Sequence, residues 1–114
     1  MPATVLTVST IALTGTVRAF TAATAGADGD EFENDGKTLY EVINAGVGAT
    51  VVTFAATGAC NQAVVHSTST SVAAGETKTF GPFSTSRFNN TSGRVKVTYS
   101  VVTSVTVNAS RLPS

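Results

Sequence analysis

The segment Arg94-Val95-Lys96-Val97-Thr98-Tyr99-Ser100 alternates apolar and polar side chains over its whole length. The apolar face holds Val95, Val97 and Tyr99, and the polar face holds Arg94, Lys96 and Thr98. Successive side chains of a β-strand point to opposite faces, so this period of two predicts a strand with one face buried. Val, Thr and Tyr are also residues that favour strands over helices.

Other parts of the chain repeat this pattern between stretches of Gly, Asn, Asp and Pro, which are typical of turns. Further strands are predicted at residues 5–8, 38–44, 50–55, 63–67, 71–72, 77–80 and 104–109. The glycine-containing turn at 45–48 predicts a hairpin between the second and third of these strands. The turn at 73–76 predicts either a second hairpin or a strand-turn-strand edge.

Long helices are not expected, because no segment of ten or more residues carries apolar side chains at helical spacing. One helical turn is expected at residues 84–88. Short strands at regular spacing with turns between them indicate an all-β fold, a single β-sandwich or jelly-roll domain of about seven to eight short strands. The side chains predicted to form its core are Phe32, Leu39, Val42, Val52, Phe54, Phe80, Phe83, Phe88, Val95, Val97 and Tyr99.

A chain of 114 residues is the size of one domain. We assign residues 27–114 to the β-sandwich and residues 1–26 to an N-terminal segment rich in Thr and Ala. Two interpretations of that segment stay open: an arm that adds a strand to a neighbouring subunit's sheet, or an ordinary first strand followed by a loop.

The charge balance limits the possible partners. The chain is 42% hydrophobic and only 12% charged, and its seven basic and seven acidic residues cancel. A neutral chain lacks the positive charge on which most nucleic-acid binding depends, so no nucleic-acid partner is expected. Thr or Ser interrupts every apolar stretch well before membrane-spanning length, so no membrane partner is expected either.

Five of the seven acidic residues fall within residues 28–35. Carboxylates at this density on a flexible loop could bind calcium, which takes six to eight oxygen ligands. The order of residues does not match the EF-hand loop, so we favour a solvated acidic loop with a turn at 34–36 and predict no metal. The candidate calcium ligands are Asp28, Asp30, Glu31, Glu33 and Asp35.

The sequence offers little for catalysis. His66 is the only histidine, and it lies within a predicted strand without a nucleophile-elbow motif beside it. Cys60 is the only cysteine, and no basic residue near it in sequence would stabilise a thiolate. We therefore predict no catalytic residue, no cofactor and no enzymatic activity.

Several segments resemble a family of small proteins encoded beside the capsid genes of tailed bacteriophages. The segments that carry the resemblance are 32–39, 42–46, 50–53, 72–77, 81–83, 88–90, 93–100 and 105–107. They cover roughly the last two-thirds of the chain and consist mainly of strand and turn residues.

The resemblance implies a decoration or cement protein, a β-sandwich that binds the outer surface of a phage capsid and stabilises it. Its partners would be the major capsid protein and other copies of itself, with a trimer favoured, and it would be located on the virion after assembly in the host cytoplasm. The alternative function is a receptor- or glycan-binding β-sandwich on a tail or cell surface. That alternative needs a defined aromatic or polar pocket. In the absence of Trp, only Tyr40 and Tyr99 could supply an exposed aromatic platform for stacking on a carbohydrate.

Overall fold

The computed structural model describes residues 4–15, 20–26, 29–55, 68–90 and 92–112. These residues form short strands and one four-residue helix. The strands are β1 (Thr4–Leu6), β2 (Val8–Thr10), β3 (Thr21–Ala22), β4 (Asp30–Glu33), β5 (Thr38–Asn44), β6 (Thr50–Phe54), β7 (Thr68–Val72), β8 (Thr77–Phe80), β9 (Arg94–Tyr99) and β10 (Val105–Arg111). The helix α1 (Thr85–Phe88) is the helical turn that the sequence predicts. No helix among these residues is long and apolar enough to cross a membrane.

The strands form two sheets that enclose one core. The first sheet has the order β1-β4-β9-β6-β7, and the second has the order β2-β10-β5-β8, with β3 also paired to β10. Strands β3 to β10 pair in a nested series, because β3 pairs with β10, β4 with β9, β5 with β8 and β6 with β7, all antiparallel. A long hairpin folded across two sheets in this way is a jelly roll, so the predicted all-β fold class is confirmed. The predicted number of about seven to eight strands is too low, because the described residues form ten.

The predicted hairpin between residues 38–44 and 50–55 is wrong. Both strands exist, but β5 lies in the second sheet and β6 in the first. Each strand buries apolar side chains that need a facing layer, and the five residues between them are enough to cross the roughly 10 Å between packed sheets. At the second turn, β7 and β8 are edge strands of opposite sheets, which is the strand-turn-strand alternative. The predicted strand at 63–67 lies outside the described residues.

Aromatic rings fill the centre of the core. The ring of Phe32 stacks on Tyr40 with centroids 4.7 Å apart, and the ring of Phe54 lies 4.8 Å from Phe83. The predicted core is confirmed except at two positions. Leu39 is only half-buried because Tyr40 and Val42 define the inward face of β5, and Phe80 is partly buried against the core. Buried residues absent from the prediction include Leu6, Val72, Val105 and Val107.

The N-terminal strand predicted at residues 5–8 is divided between the two sheets. Strand β1 pairs parallel with β4 in the first sheet, and β2 pairs parallel with β10 in the second. Thr7 lies between them, at the point where the chain changes sheets. We call residues 4–10 the N-terminal strap, because the segment spans one side of the sandwich and lies outside the nested series of strand pairs.

Candidate functional site

One end of the jelly roll is organised around the side chain of Asn44. Its Nδ2 donates hydrogen bonds to the carbonyl oxygens of Gly48 (2.8 Å) and Val72 (3.0 Å), and its Oδ1 accepts one from the amide of Gly46 (3.0 Å). The side chain is buried at the last residue of β5. It therefore joins the loop that follows β5 to the end of β7.

Backbone hydrogen bonds add further links at the same end. The amide of Gly75 donates to the carbonyl of Asn44 (2.7 Å), and the amide of Ala45 donates to the carbonyl of Ser104 (2.9 Å). The hydroxyl of Thr50 donates to the carbonyl of Val101 (2.6 Å). Residues 45–49, 73–75 and 100–104 are thus connected through β5, and we call these three segments the Asn44 tip.

The three segments of the Asn44 tip carry no charged residue and present apolar side chains to solvent. Charge borders them at Glu76, whose carboxylate accepts a hydrogen bond from the amide of Ala73 (2.8 Å) and lies 3.9 Å from Lys78. Val47 is fully exposed, and Val101 is 44% exposed. Val51, on the outer face of β6, adds to this surface because its backbone exchanges hydrogen bonds with Ser100. Single exposed apolar residues are common, but several grouped on one end of a domain are typical of a surface that binds another protein.

The acidic run at residues 28–35 is dispersed by the strand that contains it. Asp30 points into the protein, whereas Glu31 and Glu33 lie on the outer face of β4. Glu31 lies 3.8 Å from an Arg94 nitrogen and accepts a hydrogen bond from Asn90. The structure therefore does not bring these candidate calcium ligands together.

Asp35, the last acidic residue of the run, forms part of a turn. The amide of Lys37 donates to Asp35 Oδ1 at 2.9 Å, and this hydrogen bond lowers the pKa of the Asp35 carboxyl, with a smaller contribution from Arg111. No group of three potential metal ligands occurs among the described residues. Asp28, Cys60 and His66 lie outside them, so the structure places none of these three candidates.

Asp30 belongs to a buried hydrogen-bond network that the sequence analysis missed. The Tyr99 hydroxyl donates to Asp30 Oδ2 at 2.8 Å and also contacts the Tyr40 hydroxyl. Thr24 donates to the same carboxylate through its amide (3.1 Å) and its hydroxyl (2.7 Å). Alternation with Phe32, two residues later, is the sequence signal that could have placed Asp30 inside.

This network is structural. Burial raises the pKa of both Tyr40 and Tyr99 far above the ordinary tyrosine value, and the Asp30 carboxylate raises both further. The hydroxyls consequently stay protonated and the carboxylate has three protein donors. Because both tyrosines are buried in the core, neither offers the exposed aromatic platform that a glycan-binding surface requires.

Comparisons of the chain with models of known protein families, with curated proteins and with solved structures found no match. Its function is therefore inferred from its own residues. The Asn44 tip presents the apolar side chains of Val47 and Val101 to solvent, and such side chains are suited to contact with a partner protein.

Proposed function

We propose that this chain is a structural virion protein that binds the outer surface of a tailed-phage capsid and stabilises the shell. In this proposal its partners are the major capsid protein and other copies of itself, assembled as a trimer. It acts as a decoration or cement protein without catalysis, on virions assembled in the host cytoplasm. The proposal is supported by the resemblance of its strand and turn segments to such proteins and by the chemistry of the Asn44 tip.

The observation that carries the proposal is the fully exposed Val47 on a loop that the buried Asn44 side chain holds in place. Docking of this end removes apolar side chains from water, which contributes roughly 25 cal/mol for each Å² of apolar surface buried. Because Asn44 already fixes the loops, little conformational entropy is lost when a partner binds. A rigid tip is therefore suited to repeated contacts over a shell.

Stabilisation follows from mass action. A protein that binds the assembled shell and not its separated subunits adds its binding free energy to the free energy needed to open the shell. The body of the domain requires no rearrangement for this role. The tip supplies the contact, and the jelly roll supplies a stable support for it.

The experiment uses shells assembled from the capsid protein encoded nearest to this chain's gene, produced in cells that lack this chain. Purified chain is added, and free and bound protein are separated by sedimentation. We expect saturable binding at a fixed number of copies per shell and a higher temperature of shell opening in light scattering. Bovine serum albumin at equal concentration controls for trapping. Failure to co-sediment above that control would reject the proposal.

A further inference from the structure

The N-terminal strap is an addition to a fold that is already complete. Strands β3 to β10 form all four nested pairs of the jelly roll without it. The strap contributes two strands of three residues each, both parallel and both at sheet edges. Its departure would leave the nested pairs intact and would expose the edges of β4 and β10.

Few of the strap's side chains are buried. Leu6 is its only buried residue, and Val8 is partly buried against the core, whereas Val5 is 49% exposed. One polar side-chain link to the body is an exposed hydrogen bond of 3.1 Å between the hydroxyls of Thr24 and Thr4. Segments with so few buried contacts open at a lower free energy than the core around them.

A cleft of about 370 Å³ is lined by the strap together with residues near β3 and on β10. Thr7 and Ser9 line it from the strap, Phe20 and Thr21 line it near β3, and Asn108 lines it from β10. Of the strap residues that line this cleft, only Leu6 is buried. The backbone pairings with β4 and β10 and the burial of Leu6 contribute to holding the strap.

We propose that the N-terminal strap is exchanged between copies of this chain, so that the strap of one copy pairs with β4 and β10 of another. This inference rests on the self-association part of the proposed function and identifies the element that joins the copies. An exchanged strap makes the same strand pairings and fills the same Leu6 site as it does within one chain. Exchange of an identical element is a low-cost route to an oligomer.

A second copy fits these edges better than an unrelated peptide. The register places Leu6 opposite Phe32 on β4 and Val8 opposite Ala109 on β10, so the occupant must change sheets after Leu6. The strap of every copy has a sequence that changes sheets at this position.

The connection between strap and roll is long enough for exchange. Residues 11–20 link β2 to β3. Ten extended residues span at most about 33 Å. The protein measures 38 × 35 × 26 Å, so a strap can reach the equivalent edges of a copy that lies against the same side.

Exchange is tested by cross-linking chains that carry one cysteine each. Val5 and Glu31 are paired neighbours on the outer face of β1 and β4. In a Cys60→Ser background, V5C chains are mixed with E31C chains of different tag length, unfolded, refolded together and treated with dibromobimane, a short thiol cross-linker. We expect the V5C–E31C product to exceed by at least tenfold the product of V5C with T79C, a control on exposed edge strand β8.

A chain that carries both V5C and E31C controls for reactivity and for folding. The inference would be overturned if cross-linked product forms within this doubly substituted chain while the mixture of V5C and E31C chains gives only background product. Shell binding by the wild-type chain is measured separately. Binding without exchange would therefore remove the strap inference alone, whereas exchange without binding would remove the capsid role alone.

Discussion

The free energy of unfolding is expected to fall by about 4 kcal/mol between pH 8 and pH 11.5 through ionisation of the two tyrosines in the unfolded chain. Burial raises the pKa of Tyr40 and Tyr99 in the folded protein, whereas an unfolded tyrosine ionises near pH 10. The folded state then binds more protons than the unfolded state at alkaline pH. Stability is fully present below about pH 10 and is lost as the pH rises.

The matched control is the double variant Tyr40→Phe/Tyr99→Phe. It lacks both phenols but keeps every lysine, so the difference between the two proteins isolates the tyrosine contribution. Unfolding in urea, followed by circular dichroism at several pH values, gives both curves. At pH 8 the double variant should have a lower free energy of unfolding than the wild-type chain, because Asp30 loses a donor. Above pH 10 the free energy of unfolding of the double variant should decline less steeply. Parallel curves would show that the tyrosines ionise freely in the folded protein.

Replacement of Asn44 by Ala is expected to lower the free energy of unfolding by about 3 kcal/mol. The substitution removes both donors and the acceptor of a buried side chain, and it leaves the carbonyls of Gly48 and Val72 without that partner. Each buried polar group left unsatisfied costs roughly 1–3 kcal/mol, and water reaches part of this end. Equilibrium unfolding in urea measures the loss.

Thr103→Ala is the matched control for Asn44→Ala, because Thr103 is an exposed residue of the Asn44 tip. Its effect should stay within about 0.5 kcal/mol, as for most surface substitutions. Similar small losses for both variants would mean that Asn44 does not hold the loops together. In that case the rigid character assigned to the tip would be wrong.

Strand positions could be predicted from sequence because alternation is a local property. The segment 94–100 shows it clearly, and β9 occupies nearly the same residues. The inward face is harder to predict where both faces carry apolar groups. In β5 both Leu39 and Tyr40 are hydrophobic. Tyr40 is the one that faces the core, because it packs against the aromatic rings of Phe32 and Phe54.

Strand pairing could not be predicted from the same local signals. A glycine-containing link of five residues between β5 and β6 fits a hairpin and a crossing between sheets equally well. The crossing is favoured because it lets Val42 and Val52 enter one core from opposite sheets. The pairing of β5 and β6 therefore depends on residues distributed over the whole chain and not on the link between them.

Asp30 and Asn44 were missed for a related reason. Their residue types are typical of turns and exposed loops. Only tertiary contacts reveal that their side-chain oxygens and nitrogens form several hydrogen bonds inside the protein. Asp30 depends on Tyr99, which is distant in sequence, and Asn44 depends on Val72. The apolar tip was not predictable either, because Val47 and Val101 come from separate loops.

In the proposed function, the chain binds a shell through the Asn44 tip. Val47→Asp places a charge on the tip, and Leu13→Asp places the same charge at another fully exposed site. Leu13 lies near the opposite end of β10, since the amide of Ile11 bonds the carbonyl of Arg111. Both variants should fold normally, because surface substitutions change stability by only about 0.5 kcal/mol.

The decisive measurement is the affinity of these two variants and the wild-type chain for shells that lack the protein, obtained from sedimentation at increasing concentration. A charge buried without a partner in an apolar contact is strongly unfavourable. We expect Val47→Asp to weaken binding by at least about tenfold, or roughly 1.4 kcal/mol, and Leu13→Asp to bind like the wild-type chain. Equal affinities for all three proteins, or a loss confined to Leu13→Asp, would contradict binding through the Asn44 tip.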